Sequence, residues 1–207
     1  MNAHRIAGLL ITSSLMFCVS SQIACNRQAT SGVESESHAS NGKAVPAISP
    51  TENAEVVQLK ILDYAGLQRL IASHRGDVVV MDAWSTACPP CVHDFPRFVK
   101  LSEQYRGKGL ACISLSFDYE GIGRPEDQSP PVLAFLRKQK ADFDNVLASE
   151  DSDTMYKKLG IPSVPEVFVY DRSGKLVSKF GEAAENSKEK PLYDRVGELV
   201  AKLLAAH

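Results

Sequence analysis

Residues 55–207 predict an α/β domain built on a central mixed sheet flanked by helices, and three features of the chain carry that expectation. Residues 77–84 hold the continuous apolar run Val78-Val79-Val80-Met81, which suits a strand buried on both faces, and residues 110–117 read as the next buried strand. Segments with helical spacing alternate with these runs, as the crossover connections of a parallel sheet require. Near the C-terminus the order changes to two strands joined by a short turn and then a helix, which makes the sheet mixed.

The elements are read in order. Val56-Val57-Gln58-Leu59 reads as a short edge strand. Residues 64–74 place Leu67, Leu70 and Ile71 at helical spacing, with Asp63 as N-cap and Gly76 just past the end. After the strand at 77–84, Phe95, Phe98, Val99, Ser102 and Tyr105 trace one stripe of a helix that Gly107 and Gly109 end. The strand at 110–117 is followed by a helix at 131–140, a short strand at 145–148 and one or two helical turns at 154–159. Residues 166–170 and 175–180 form a hairpin across the turn-rich Asp171-Arg172-Ser173-Gly174. Residues 192–204 close the domain as an amphipathic helix with Val196, Leu199, Val200 and Leu203 on one face. There is no internal repeat.

The 207 residues, 44% apolar and 23% charged, suit one soluble domain with appended sequence. A net charge of -2 gives no case for nucleic acid, and the scattered Lys and Arg give none for a polybasic membrane patch. Residues 1–25 read as an export signal: His4 and Arg5 precede an apolar run at 6–19, shorter than the roughly 20 residues of a membrane-spanning helix. It ends in Gln22-Ile23-Ala24-Cys25, which resembles the lipobox of bacterial lipoproteins, with Cys25 as the lipidated residue and Gln22 as a departure from the aliphatic preference. Cleavage without lipid and an uncleaved anchor are the alternatives. All three place the remainder outside the cytoplasm. Residues 26–54, rich in Ser, Glu, Asn, Thr and Ala, read as a flexible linker with an r.m.s. span of about 30 Å.

Of the five cysteines, Cys88 and Cys91 stand as a Cys-Pro-Pro-Cys motif directly after a buried strand and at the start of a helix. Unpaired backbone N–H groups and the helix dipole favour a thiolate at Cys88, and the thiolate is the form that attacks disulfides. Two intervening residues bring Cys91 close enough to resolve a mixed disulfide. Pro89 and Pro90 remove two N–H groups that would otherwise face the sulfur, so the expected depression of the Cys88 pKa is modest. A zinc site would need further ligands, and c-type haem attachment would need His where Val92 stands. A structural disulfide would close only a tiny loop. The strand–motif–helix context favours redox chemistry.

Residues 78–101, VVVMDAWSTACPPCVHDFPRFVKL, resemble thioredoxin and most of all the TlpA-like family of exported thiol–disulfide oxidoreductases. Residues 105–118, YRGKGLACISLSFD, are similar to the family's next strand, and residues 160–177, GIPSVPEVFVYDRSGKLV, to its signature segment. The resemblance implies a thioredoxin fold, with residues 118–150 as the TlpA-like insertion. It also implies roles: Cys88 as nucleophile, Cys91 as resolving thiol, and Asp82 as a buried acid that exchanges a proton with Cys91. Val164 and Pro165, the latter as a cis-proline, would offer backbone to an extended substrate. Trp84 matches the family's aromatic and, with Pro89 and Pro90, is expected at the substrate surface. Pro96 falls where the family's active-site helix kinks. Two departures stand out: Ala87 replaces the tryptophan of thioredoxins, and Glu166 stands where a small or hydroxylated residue is usual.

No cofactor beyond the cysteine pair, no metal and a monomeric state are expected. Cys112 reads as a small buried hydrophobe, His93 as a solvent-facing helix residue, and His38, His74 and His207 show no ligand spacing. A copper-chaperone reading lacks a histidine near the hairpin. A peroxidase reading lacks its Pro-x-x-x-Thr-x-x-Cys pattern, since Thr86 is one position out and Met81 stands near the proline position. The expected function is reduction of disulfides in exported proteins, apocytochrome c among them by family resemblance, with a membrane donor restoring the dithiol. The alternatives are a disulfide-donating oxidant and a non-catalytic binding lipoprotein.

Overall fold

The computed structural model describes residues 57–181 and 188–206. The export signal at 1–25, lipidation of Cys25, the linker at 26–54, and His38 and His207 lie outside the described residues. Six strands form one sheet: β1 (Lys60–Leu62), β2 (Val78–Trp84), β3 (Leu110–Ser116), β4 (Asp144–Ala148), β5 (Glu166–Tyr170) and β6 (Leu176–Gly181). Five helices connect them: α1 (Tyr64–Ser73), α2 (Pro89–Tyr105), α3 (Ser129–Gln139), α4 (Ser152–Leu159) and α5 (Leu192–Ala205). The strand order is β1-β4-β3-β2-β5-β6. The first four are mutually parallel; β5 runs antiparallel to β2, and β6 antiparallel to β5, so β5 alone opposes the other five.

Strand β2 sits in the middle and is buried along its whole length, as the apolar run Val78-Val79-Val80-Met81 leads one to expect, with Asp82 the one charged residue in it. Its alternation sorts the core into two layers. Val78, Val80 and Trp84 join Phe95, Phe98, Val132, Leu136, Val196 and Val200, so α2, α3 and α5 cover that face. Val79, Met81 and Ala83 join Leu67, Ile71, Met155 and Leu159 of α1 and α4 on the other.

Local signals set the helix ends. Asp63 caps α1 by accepting from the Gly66 N–H at 2.7 Å, and Asp151 caps α4 by accepting from the Thr154 N–H at 3.0 Å. Helix α4 stops at Gly160, whose φ of +64° is the left-handed conformation glycine adopts without a Cβ penalty. The Lys179 ammonium then donates to the carbonyls of Leu159 and Gly160 at 2.7 and 3.0 Å, satisfying the helix end.

Residues 118–150 contain a 3-10 turn at Pro125–Gln128, then α3 and β4. Strand β4 inserts between β1 and β3, and a buried amide holds it there. Asn145 accepts from Ser114 Oγ at 2.8 Å and donates to the carbonyls of Ala141, Phe143 and Gln58 at 2.8, 2.9 and 3.2 Å. Several boundaries differ from the sequence reading. The edge strand expected at 56–59 lies at Lys60–Leu62, because those residues find partners in Val146, Leu147 and Ala148. The 3-10 turn was not anticipated, and α3 and α4 each begin two residues earlier than expected.

Candidate active site

The C-terminal end of β2 leads through Ser85, Thr86 and Ala87 into Cys88, which caps α2. Pro89 and Pro90 fill the first helical positions, where a missing N–H sacrifices no intrahelical bond. Cys88 and Cys91 form a disulfide, with S–S 2.06 Å and Cα–Cα 5.3 Å. The two cysteines differ in access. Cys91 is 3% exposed within the apolar layer under α2, whereas Cys88 is only half-buried. The first N–H of the helix belongs to Cys91 and donates to Cys88 Sγ at 3.3 Å.

The Val164–Pro165 peptide is cis. Strand β5 opens immediately afterwards, with Glu166 paired to Ala83 at the C-terminal end of β2, so this peptide and the disulfide occupy the same end of the sheet. Pro165 is buried, while Val164 is half-buried and, like Cys88, packs against the apolar layer of α2. Asp82 shares that face of β2 and is 3% exposed. Burial pushes its carboxyl up to about 7, the Tyr193 hydroxyl opposes the rise, and the nearby Asp94 charge adds to it. One reachable sulfur, one buried sulfur and a buried acid that titrates near neutrality can together carry out thiol–disulfide exchange.

A family profile described as Redoxin matches residues 40–196, well over half of the chain. The chain belongs to the Redoxin family. It is similar to thiol-disulfide oxidoreductase ResA of Bacillus thuringiensis subsp. konkukian, 24% identical over 139 residues, covering 67% of this chain and 75% of the relative. It is also similar to thiol:disulfide interchange protein DsbE of Haemophilus influenzae, 25% identical over 128 residues, covering 60% and 64% of the two chains. The fold matches the crystal structure of a protein assigned as DsbE from Chlorobium tepidum, with a TM-score of 0.51 at 20% identity, covering 65% and 84%. This Redoxin-family chain is a thioredoxin-fold, TlpA-like thiol:disulfide oxidoreductase.

One expected substrate contact in this redoxin is corrected. Trp84 is fully buried, its ring 4.8 Å from that of Phe95 and 4.7 Å from that of Phe135, so no substrate surface reaches it. As an even-numbered residue of β2 it points into the layer beneath α2 and α3. Pro89 is exposed and Pro90 half-buried beside Cys88, and Ala87 is exposed in place of a tryptophan. Glu166 is half-buried, and its carboxylate lies over Gly181, where an added Cβ would stand 2.9 Å from Oε2. Burial raises the Glu166 pKa, and the charges of Lys179 and Arg195 oppose the rise.

Two residues near the site were not singled out from the sequence. Tyr193 brings its buried hydroxyl up to Asp82 without forming a well-aligned hydrogen bond, and burial drives its phenol pKa far up. Asp118 gathers hydrogen bonds from the loop before Cys88. Neither carries a local motif; both are brought in by α5 and by the end of β3. Cys112 is a free buried thiol whose pKa burial pushes up to about 12. His93 is exposed and pairs with Asp94 at 2.9 Å, and His74 pairs with Asp144 at 2.8 Å. Among the described residues no cluster of three or more His, Cys, Asp or Glu side chains is placed to hold a metal ion.

Proposed function

We propose that this chain reduces disulfides of exported proteins outside the cytoplasm, with Cys88 and Cys91 as the redox pair. The observation that carries the direction is the start of α2. Strong oxidants of this chemistry owe their power to a stabilised reduced form. Here the two prolines leave the Cys91 N–H as the first helical donor to Cys88 Sγ, so the thiolate gains little and the disulfide is the favoured resting form.

In the reduced chain, the Cys88 thiolate attacks one sulfur of a substrate disulfide. That bond breaks, a mixed disulfide forms, and the released substrate sulfur takes a proton. Cys91 passes its proton to the ionised Asp82 and attacks Cys88, which re-forms the Cys88–Cys91 bond and expels the second substrate sulfur as a thiolate. Two electrons pass from the cysteine pair to the substrate, the substrate thiolates are protonated by solvent, Asp82 returns its proton to solvent, and a dithiol donor restores the pair. Val164 and Pro165 present backbone to the extended substrate at the end of β5. Pro89 and Pro90 shape the rim around Cys88. Paired cysteines of apocytochrome c fit this substrate class, and lipidated Cys25 with the 26–54 linker would keep the domain near a membrane donor. The names of the curated relatives support exchange between thiols and disulfides.

Equilibration of the full chain with glutathione, read at the Cys88–Cys91 pair, tests the direction. A potential near or below about -230 mV is expected, whereas one near about -120 mV would make the chain an oxidant. Cys91→Ser is expected to trap substrate as a mixed disulfide at Cys88; Cys88→Ser traps none. Absence of any trapped partner would favour a binding module without turnover.

A further inference from the structure

Asp118, just beyond β3, joins two segments through one carboxylate. Its Oδ1 accepts from Ser85 Oγ at 3.1 Å, from the Thr86 backbone N–H at 2.9 Å, and from Thr86 Oγ1. Its Oδ2 accepts from Ser116 Oγ at 2.5 Å. All of these partners donate, which suits an ionised carboxylate because it only accepts. Hydrogen bonds to a charged acceptor are also about twice as strong as neutral ones.

The arrangement continues to the cysteine. Ser85 Oγ accepts from the Ala87 N–H at 3.1 Å, and the Ser85 carbonyl accepts from the Cys88 N–H at 3.2 Å. Thr86 and Ala87 are exposed, so core packing does not hold this stretch in place. Asp118 itself is held from behind. Ser152, buried at the start of α4, puts its hydroxyl 3.2 and 3.3 Å from the carbonyls of Phe117 and Tyr119, the residues on either side of Asp118. The Phe117 N–H donates to the Trp84 carbonyl at 2.8 Å, tying the same segment to the end of β2.

We propose that Asp118 is a positioning residue for exchange at Cys88, holding Ser85, Thr86 and Ala87 in the shape that keeps Cys88 as the cap of α2. The inference rests on the proposed role of Cys88 as the attacking sulfur. It differs from a simple charge effect in sign. A carboxylate acting only as a nearby anion would disfavour the thiolate, so its removal would lower the Cys88 pKa. A carboxylate acting through the loop keeps Cys88 at the helix terminus, so its removal raises that pKa.

The test uses the reduced full chain, alkylated with iodoacetamide across about pH 5 to 9 and followed by mass spectrometry at the peptide bearing Cys88. Asp118→Asn and Asp118→Ala are expected to move the Cys88 profile to higher pH and slow its alkylation near neutrality several-fold. Asn acts because its amide would turn a donor toward donors. Thr86→Val keeps the carboxylate but loses one donor, and is expected to shift the profile in the same direction by less; Thr86→Ser restores it. The proposal is overturned if Thr86→Val leaves the profile at wild type, or if the Asp118 variants move it to lower pH. Thr86 is exposed, so this variant carries the test even if Asp118 variants fold poorly. Faster alkylation of Cys91 than of Cys88 in the wild type would instead overturn the assignment of the attacking sulfur, before any variant is compared.

Discussion

Replacing Asp82 by Asn should change how stability depends on pH. Asp82 is 3% exposed on the central strand, and burial lifts its carboxyl from the ordinary value to about 7. The folded state therefore binds this proton more tightly than the unfolded chain, whose carboxylates titrate near 3.9. Between about pH 4 and pH 7 the folded protein keeps a proton that the unfolded one has lost, so stability falls as pH rises. A rise of about three pH units corresponds to an upper limit of about 4 kcal/mol, complete once the pH exceeds the folded value. Asp82→Asn cannot ionise and lacks this slope. Denaturant unfolding of the oxidised protein at about pH 4.5 and pH 8, in wild type and Asp82→Asn, isolates the effect, because other titrations cancel in the difference. The variant should gain about 2–4 kcal/mol relative to wild type on going from the lower pH to the higher. Parallel pH dependence in the two proteins would refute the reasoning. If Asp82 also serves as proton acceptor for Cys91, the same substitution should slow resolution of the mixed disulfide most strongly above pH 7, where wild-type Asp82 is ionised.

Asp144 offers the opposite slope. Lys60 and His74 hydrogen-bond its carboxylate at 2.5 and 2.8 Å and, despite partial burial, its pKa is lowered. Its stabilisation is present above the unfolded carboxylate value and is lost as pH falls through the folded one. Asp144→Asn should therefore cost about 1 kcal/mol at neutral pH, a difference that shrinks in denaturation measured near pH 3. Trp84→Phe should lower the denaturation midpoint by an amount worth about 1–3 kcal/mol, offset in part because the buried Trp84 Nε1 has no hydrogen-bond partner. Its KM for a disulfide substrate should stay within about two-fold of wild type, since a fully buried ring makes no substrate contact.

Much of the architecture could be read from local chemistry. The Val78–Met81 run of β2 marks a central strand, the stripe from Phe95 to Tyr105 marks α2, and the Asp63 cap with Gly76 beyond marks the limits of α1. The hairpin rests on Asp171, which accepts from the N–H groups of Ser173 and Lys175 at 2.9 and 3.1 Å. Boundaries drifted where pairing with a distant strand, and not the local sequence, decides the register. That is why the edge strand moved to Lys60–Leu62.

The sequence by itself determined the cysteine pair, the strand that delivers it and the helix it caps, because spacing along one chain suffices for each; Pro165 was reached through the family resemblance of residues 160–177. Only the tertiary structure decided that Trp84 is core, that β4 enters the sheet between β1 and β3, and that Tyr193 and Asp118 reach the site. Asp118 and Thr86 are 32 residues apart in the chain yet share a hydrogen bond. A contact of that kind arises from strands brought side by side, and no local propensity records it.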